Sequence, residues 1–497
     1  MISIEKIEDR DQLRQVALLL DRENHKLHDK IRTLAAEIAA LKGQAGSQHE
    51  LGYLQELLAA RERSLFGDSS ERRPREGVEG PAEKKPKPRR GHGPRVQGEL
   101  PIVECEHELS EAERGCPQCG RQLTEMSGQS EDSEEITVVE RRFVLVQHRR
   151  KKYRCACNSH VATAPAPLKL AVSGTARSRR YSIEFAVEVA VGKYLDHLPL
   201  ERQVRMMGRD GLAIDSQTLW DQIEALARVL TPAEKALRQR VLASPRIGAD
   251  ETWWRLMAGK ASKDSKRWWA WVLAIEDAVS YRILPNRSKQ AALQVLGNYR
   301  GLVMADGYGV YEALAQDDSG FVLAHCWAHV RRKYLEAEPH YPEPCRELLE
   351  LIGQLYGIER EQVASLEQRA ALRREHSRPI IEKISNFALT QRALPQSSLG
   401  KAISYMIGMW PGLIRFLEDP AIPIDNNATE RALRGAVLGR KNHYGSRSLR
   451  GTEVAALFYS LLETAKLVDV DPRRYLLEAT RDALQKQEVL LPHHLAA

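Results

Sequence analysis

Long apolar runs are missing from this 497-residue chain. No stretch is apolar for the roughly 18 residues that a membrane-spanning helix needs, and the mean hydropathy is -0.44. No membrane association is expected. The first residues, MISIEKIEDRDQLRQ, lack the apolar core of a secretory signal, which points to the cytoplasm. Cysteine is scarce: seven in a chain of this length exclude a disulfide framework. A large excess of one charge is also absent. Lys and Arg exceed Asp and Glu by 74 to 67, too little to mark a nucleic-acid binder without a clustered distribution.

What is present is an ordinary core-forming composition, 43% hydrophobic and 28% charged. The length suggests about three folded units. Leu13, Leu20, Leu27, Leu34 and Leu41 recur one heptad apart, with Arg10, Ala17, Asn24, Ile31 and Ile38 at the partner positions. Leucine at d, isoleucine at a and a single asparagine at a predict a parallel two-stranded coiled coil. The expectation is a homodimer or higher oligomer through residues 1–66, with a shorter second helix over 49–66. Residues 67–99 are rich in Pro, Gly and charge and form a basic disordered linker.

Cys116 and Cys119 form a Cys-x-x-Cys pair, and Cys155-Ala-Cys157 supplies a second pair. Four thiolates make a closed tetrahedral zinc site that holds a small module together. Cys105, His148 and His160 are alternative donors. The span EITVVERRFVLVQHRRKKYRC between the pairs alternates as strands do, so residues 100–168 are expected to be a zinc-binding β module. Residues 169–243 are helical. A Gly-containing turn precedes a helix starting near Ser216, itself the expected N-cap. This resembles a helix-turn-helix, with Ser216, Gln217 and Thr218 at the start of the reading helix. Two core helices joined by a tight turn would look similar.

Residues 245–330 switch to strands. Asp250 sits inside the apolar strand IGADETWW, and Asp306 ends LVMADGYG. A buried acid is costly unless it is paired or binds a metal. Glu430 is the one acid among Arg431, Arg434, Arg440, Lys441, Arg447 and Arg450, on a helix that Asn426 or Asn427 is expected to cap. Two strand aspartates and a helical glutamate suit two-metal phosphoryl transfer. Asp250 would bridge both ions, while Asp306 and Glu430 would each hold one. Oxygen donors favour Mg2+ or Mn2+. The basic residues around Glu430, with Arg331, Arg332 and Lys333, suit a duplex crossing the site. Five tryptophans fall between 253 and 271. Most are expected in the core, and one could stack on an unpaired base.

The segments DET at 250–252, ADGY at 305–308, HCWAHVRRKY at 325–334 and IDNNATERALRGAVLGRKN at 424–442 resemble insertion-sequence-66 family transposases of the Asp-Asp-Glu superfamily. FYSLLETAKLVDVDP, CPQCG and the leucine repeat with LFGDSSER extend the resemblance over nearly the whole chain. It implies a multidomain α+β protein with an RNase-H-like α/β catalytic core. That core would occupy 244–334 and 421–497, interrupted by a helical insertion at 335–420. Asp250, Asp306 and Glu430 fall on the family's catalytic positions, and Cys326 and His329 on its Cys-x-x-His element. The second cysteine pair departs from the family's usual Cys-x-x-Cys. The implied reaction is cleavage at the element's ends and transfer of the freed 3′-OH to target DNA. Small accessory proteins of the same element are implied partners, and a bacterial, nucleoid-associated location follows. A nuclease without strand transfer, or a zinc and helix-turn-helix DNA binder with an inactive core, is the alternative reading.

Overall fold

The computed structural model describes residues 52–57, 59, 118, 121, 143–154, 160–171, 180–257, 266–316, 320–485 and 489–496. The chain divides into two units, Asp68–Arg141 and the remainder. The leucine repeat, the linker and Cys105, Cys116, Cys119, Cys155 and Cys157 lie outside the described residues. No described helix is long and apolar enough to cross a membrane.

The small antiparallel pair β1 (Lys152–Arg154) and β2 (Val161–Thr163) brackets Cys155 and Cys157 in sequence. His148 and His160 are described and exposed. Of the described part of the expected alternating span, Lys152–Arg154 is a strand. Residues 143–151 form no strand, and Val144, Leu145 and Val146 are exposed. Alternation stabilises a strand only where one face is buried; among the described residues Phe143 packs edge-on against Phe185 while 144–151 are exposed.

Helices α1 (Ile183–Tyr194), α2 (Leu200–Arg209) and α3 (Ser216–Ala243) follow. Helix α3 starts at the expected residue, but its cap is Asp215. The Asp215 carboxylate accepts from the Thr218 amide at 2.6 Å, while the Ser216 hydroxyl donates to Glu201 at 2.7 Å. Gln217 is turned onto Asp221 at 2.8 Å. Most of α3 is a core helix: Leu219, Ile223, Leu226, Leu230, Leu237 and Val241 are all buried.

A five-stranded mixed sheet carries the rest. Its strands are β3 (Arg246–Leu256), β4 (Lys266–Ala274), β5 (Val279–Leu284), β6 (Leu302–Ala305) and β7 (Val322–His325), in the order β5-β4-β3-β6-β7. The first three pair antiparallel; β3–β6 and β6–β7 pair parallel. Crossovers run through α4 (Lys289–Leu296) and α5 (Gly309–Gln316). Strand β6, LVMA, is buried at every position, as expected for a parallel strand covered on both faces. Helices α12 (Asn427–His443), α13 (Leu449–Leu467) and α14 (Pro472–Leu484) close the chain. Edge strand β5 is protected by α13: the Val279 amide donates to Thr464 Oγ1 at 3.0 Å and the Tyr281 amide to Ser460 Oγ at 2.8 Å. These bonds satisfy backbone donors that an open edge would expose.

Between β7 and α12 lies a run of helices packed in an apolar cluster that also takes in Leu302 and Met304 of β6 and Ala324 of β7. It contains α6 (Trp327–Ala337), α7 (Pro342–Glu359), α8 (Leu366–Leu372), α9 (Arg378–Thr390), α10 (Ser398–Gly408) and α11 (Trp410–Leu413). Residues 52–57 are helical, and Glu56 accepts from the Ser398 amide at 2.8 Å. Arg373, in a π-helical turn after α8, has a side chain only 3% exposed. It pairs with both Glu359 oxygens at 2.8 and 2.7 Å and donates to the carbonyls of Phe416, Asp419 and Ile422. Removing the guanidinium strands a nearly buried carboxylate and three carbonyls. Arg373→Leu is expected to cost about 3–5 kcal/mol, read as a lower denaturant midpoint. An unchanged midpoint would contradict this role.

Candidate functional site

Strand β3 is hydrogen-bonded to β6 only through Arg246–Gly248, so its edge beyond Gly248 is open to another partner. That partner is the segment 424–446. Asn426 Nδ2 donates to the Ala249 carbonyl at 2.9 Å, and Ser446 bonds to Arg255 and Met257 through its backbone. Asn426 does precede α12, but its side chain does not cap the helix. It is spent on the strand, and Asp425 receives the Asn427 amide instead. The Asn426 amide donates to Cys326 Sγ at 3.2 Å. Cys326 and Asn426 thus tie the start of α12 to β7 and β3. Gly248 permits this approach: a Cβ there would lie 1.9 Å from Thr429 Oγ1.

Asp250 comes from the middle of β3, Asp306 from the residue after β6, and Glu430 from the first turn of α12. Asp306, Glu251 and Glu430 are all near enough to Asp250 to act on its charge. Burial pushes the Asp250 carboxyl up to about 8, and the negative charges of Asp306, Glu251 and Glu430 add to that. Glu251 is pushed up to about 7 by burial and then by Asp306. Its side chain is 3% exposed, receives the Tyr311 hydroxyl at 3.2 Å and lies 3.7 Å from Arg287. Glu251 was not anticipated from the sequence as a member of this cluster. Its sole signal was its place beside Asp250. Asp306 Oδ1 accepts from the Tyr308 amide at 3.0 Å.

Glu430 lies 3.6 Å from His329 Nε2 and 3.6 Å from Arg332 Nη2. Its Oε1 is buried without a hydrogen-bond partner. Burial lowers the His329 pKa despite the nearby acids. Ligand atoms of Cys326, His329 and Glu430 lie within 4.8 Å of one another. Burial pushes the Cys326 thiol up to about 11, and its Sγ accepts from the Asn426 amide. Mutually repelling carboxylates and an unpartnered carboxylate oxygen are what a hard divalent cation would stabilise.

Arg331, Arg332 and Lys333 are exposed on α6, as are Arg431, Arg434 and Lys441 on α12 and Arg447 beyond it. Arg440 differs from the sequence expectation of an exposed phosphate contact. It is 7% exposed, and Nη1 donates to Thr252 Oγ1 at 3.1 Å and to the Trp253 carbonyl. Its guanidinium stacks 3.8 Å from the Trp253 ring centroid. The open edge of β3 draws it inward. Ser216, Gln217 and Thr218 form the first turn of α3.

Fold and site together define a mixed α/β protein with a half-buried acidic cluster to which a basic helix contributes Glu430. Residues 179–454 match the family described as Transposase IS66 family. Residues 113–158, which include both cysteine pairs, match the zinc-finger binding domain of transposase IS66. The uncharacterized protein y4jD of Sinorhizobium fredii (strain NBRC 101917 / NGR234) is 30% identical over 405 residues, 76% of this chain and 78% of that protein. The uncharacterized protein y4qI of the same strain is 29% identical over 511 residues, 94% of this chain and 93% of that protein. The chain belongs to the IS66 transposase family.

Proposed function

We propose that this chain is a DNA transposase whose catalytic acids are Asp250, Asp306 and Glu430. The observation that carries this reading is their convergence from β3, β6 and α12, with Asp250 raised to about 8 by burial and by its acidic neighbours. The strand order, with β3 central and flanked by antiparallel and parallel partners, supports an RNase-H-like core over 244–334 and 421–497. The insertion would then be 335–420.

The reaction is hydrolysis at the element's terminal inverted repeats, followed by strand transfer. Water adds to the scissile phosphorus, the bond to the 3′ oxygen breaks, and water's proton is released. The freed 3′ oxygen then attacks a target phosphodiester and displaces a target 3′-OH. No covalent bond to the protein is required. Asp250, Asp306 and Glu430 would hold two Mg2+ or Mn2+ ions. When bound, such ions supply positive charge to the attacking and leaving oxygens. The chain's own part is placement: Asn426 and Cys326 hold the Glu430 helix against the Asp250 strand, and Arg332 balances Glu430. Arg331, Lys333, Arg431, Arg434, Lys441 and Arg447 would engage phosphates.

One structural Zn2+ on Cys116, Cys119, Cys155 and Cys157 would order a DNA-binding module at 100–168, joined by the basic linker 67–99 to the rest. The turn at Ser216–Thr218 would add a second DNA contact within 169–243. Residues 1–66 would form a coiled coil that assembles the dimer. Accessory proteins of the element and the nucleoid are the surroundings in which such a protein works. Purified protein and a labelled duplex carrying the element's end test the reading. A nicked product ending in 3′-OH is expected with Mg2+ or Mn2+ and none with chelator. Cleavage that persists in chelator would contradict it.

A further inference from the structure

The β3–β4 pair extends beyond its contacts with β6, with β5 alongside β4 as far as Trp269 and Ser446 alongside the end of β3. Cross-strand register places Glu251 opposite Trp271, Trp253 opposite Trp269 and Arg255 opposite Arg267. Directly paired residues share a face, so one face of the pair carries Trp253, Trp269, Arg255 and Arg267. Asp250 lies on the other face. Of the protein's eight tryptophans, Trp253 alone is exposed, at 37%.

Arginine and aromatic groups alternate along this face. Arg267 lies 5.9 Å from the Trp253 ring and 5.5 Å from that of Trp269. Arg287 lies 4.3 Å from Trp269 and 4.5 Å from Tyr308. The row ends at the acid cluster, because Arg287 is 3.7 Å from Glu251 and the Tyr308 amide binds Asp306. Arg255 and Arg267 are exposed like charges facing one another across the strands. Such a pair destabilises a sheet, and neither makes an ion pair among the described residues.

Resting on the transposase reading, we propose that this face binds unpaired nucleotides of the DNA strand that leaves the acid cluster on the Glu251 side. Arg255, Arg267 and Arg287 meet successive phosphates, and the aromatic faces and guanidinium planes stack bases. An unpaired strand fits better than a duplex. Exposed ring and guanidinium faces are useful only to bases whose own faces are free.

Anisotropy with three probes tests this on the full-length protein: a blunt duplex, the same duplex with a short oligothymidine tail, and oligothymidine alone. In wild type the tail is expected to tighten binding roughly tenfold. Arg267→Gln and Trp253→Ala, both at exposed positions, should remove most of that gain and leave blunt-duplex affinity within about twofold. Arg267→Gln should also flatten the salt dependence of tail binding by about 0.7 for each phosphate that the side chain neutralises in wild type. Thermal unfolding midpoints equal to wild type establish that the variants fold. If wild type binds the blunt duplex but gains nothing from the tail, the proposal fails and the transposase reading stands. If the variants weaken blunt and tailed probes equally, the face contacts duplex and the proposal fails. If wild type binds none of the probes, both fail.

Discussion

Asp250→Asn is expected to abolish DNA cleavage, by roughly a thousandfold or more, and to leave a folded protein that still binds DNA. The amide keeps the carboxyl's shape but cannot provide the charge that would hold a divalent ion. The same substitution relieves a cost. The folded-state pKa of Asp250 is raised from 3.8 to about 8, so the metal-free native state keeps a proton that the unfolded chain gives up. A group raised in this way lowers stability progressively as pH rises from about 4 to about 8. With chelator present, the variant should therefore unfold at a higher temperature than wild type at pH 8. The difference should shrink toward pH 4. Loss of cleavage with gained metal-free stability separates a functional acid from a structural one. A variant that cuts at wild-type rate would remove Asp250 from the site.

Gly248→Ala is the second large effect. The added methyl would meet Thr429 Oγ1 at 1.9 Å and Asn426 Oδ1 at 2.7 Å. Thr429 and Asn426 are each 2% exposed, so neither can swing into solvent. The first turn of α12 must move off the strand and carry Glu430 with it. Overpacking of this kind costs about 1–3 kcal/mol, and a displacement near 1 Å lowers catalysis about a hundredfold. Cleavage should fall far more than the thermal midpoint. Wild-type cleavage by this variant would show that the spacing between β3 and α12 does not set the activity.

The acids were legible because each broke a local pattern. Asp250 interrupts an apolar strand, Asp306 ends one, and Glu430 stands alone in a basic stretch. The strand run of 245–330 and the helices of 345–420 were also legible, since periodicity is a local property. What was missed depends on partners distant in the chain. Arg440 looks like its basic neighbours and turns inward because β3 leaves an edge uncovered. Asn426 precedes its helix as expected but bonds to Ala249, 177 residues away in sequence. Glu251 joins the acids because β6 brings Asp306 near it, and α5 supplies the Tyr311 hydroxyl that it receives. The alternation of 143–151 predicted a strand, yet Phe143 alone of these residues packs on the core among the described residues. The cap of α3 fell to Asp215 rather than to its neighbour Ser216, whose hydroxyl found Glu201.

The central claim is that one acid cluster joins DNA as well as cutting it. Joining is tested most directly by bypassing cleavage, with a pre-cut duplex that already ends in the element's 3′-OH, a target plasmid and Mg2+. Wild type is expected to give strand-transfer products, and Asp306→Asn none while binding the duplex equally well. Strand transfer by Asp306→Asn at wild-type level, or by wild type in chelator, would contradict the account.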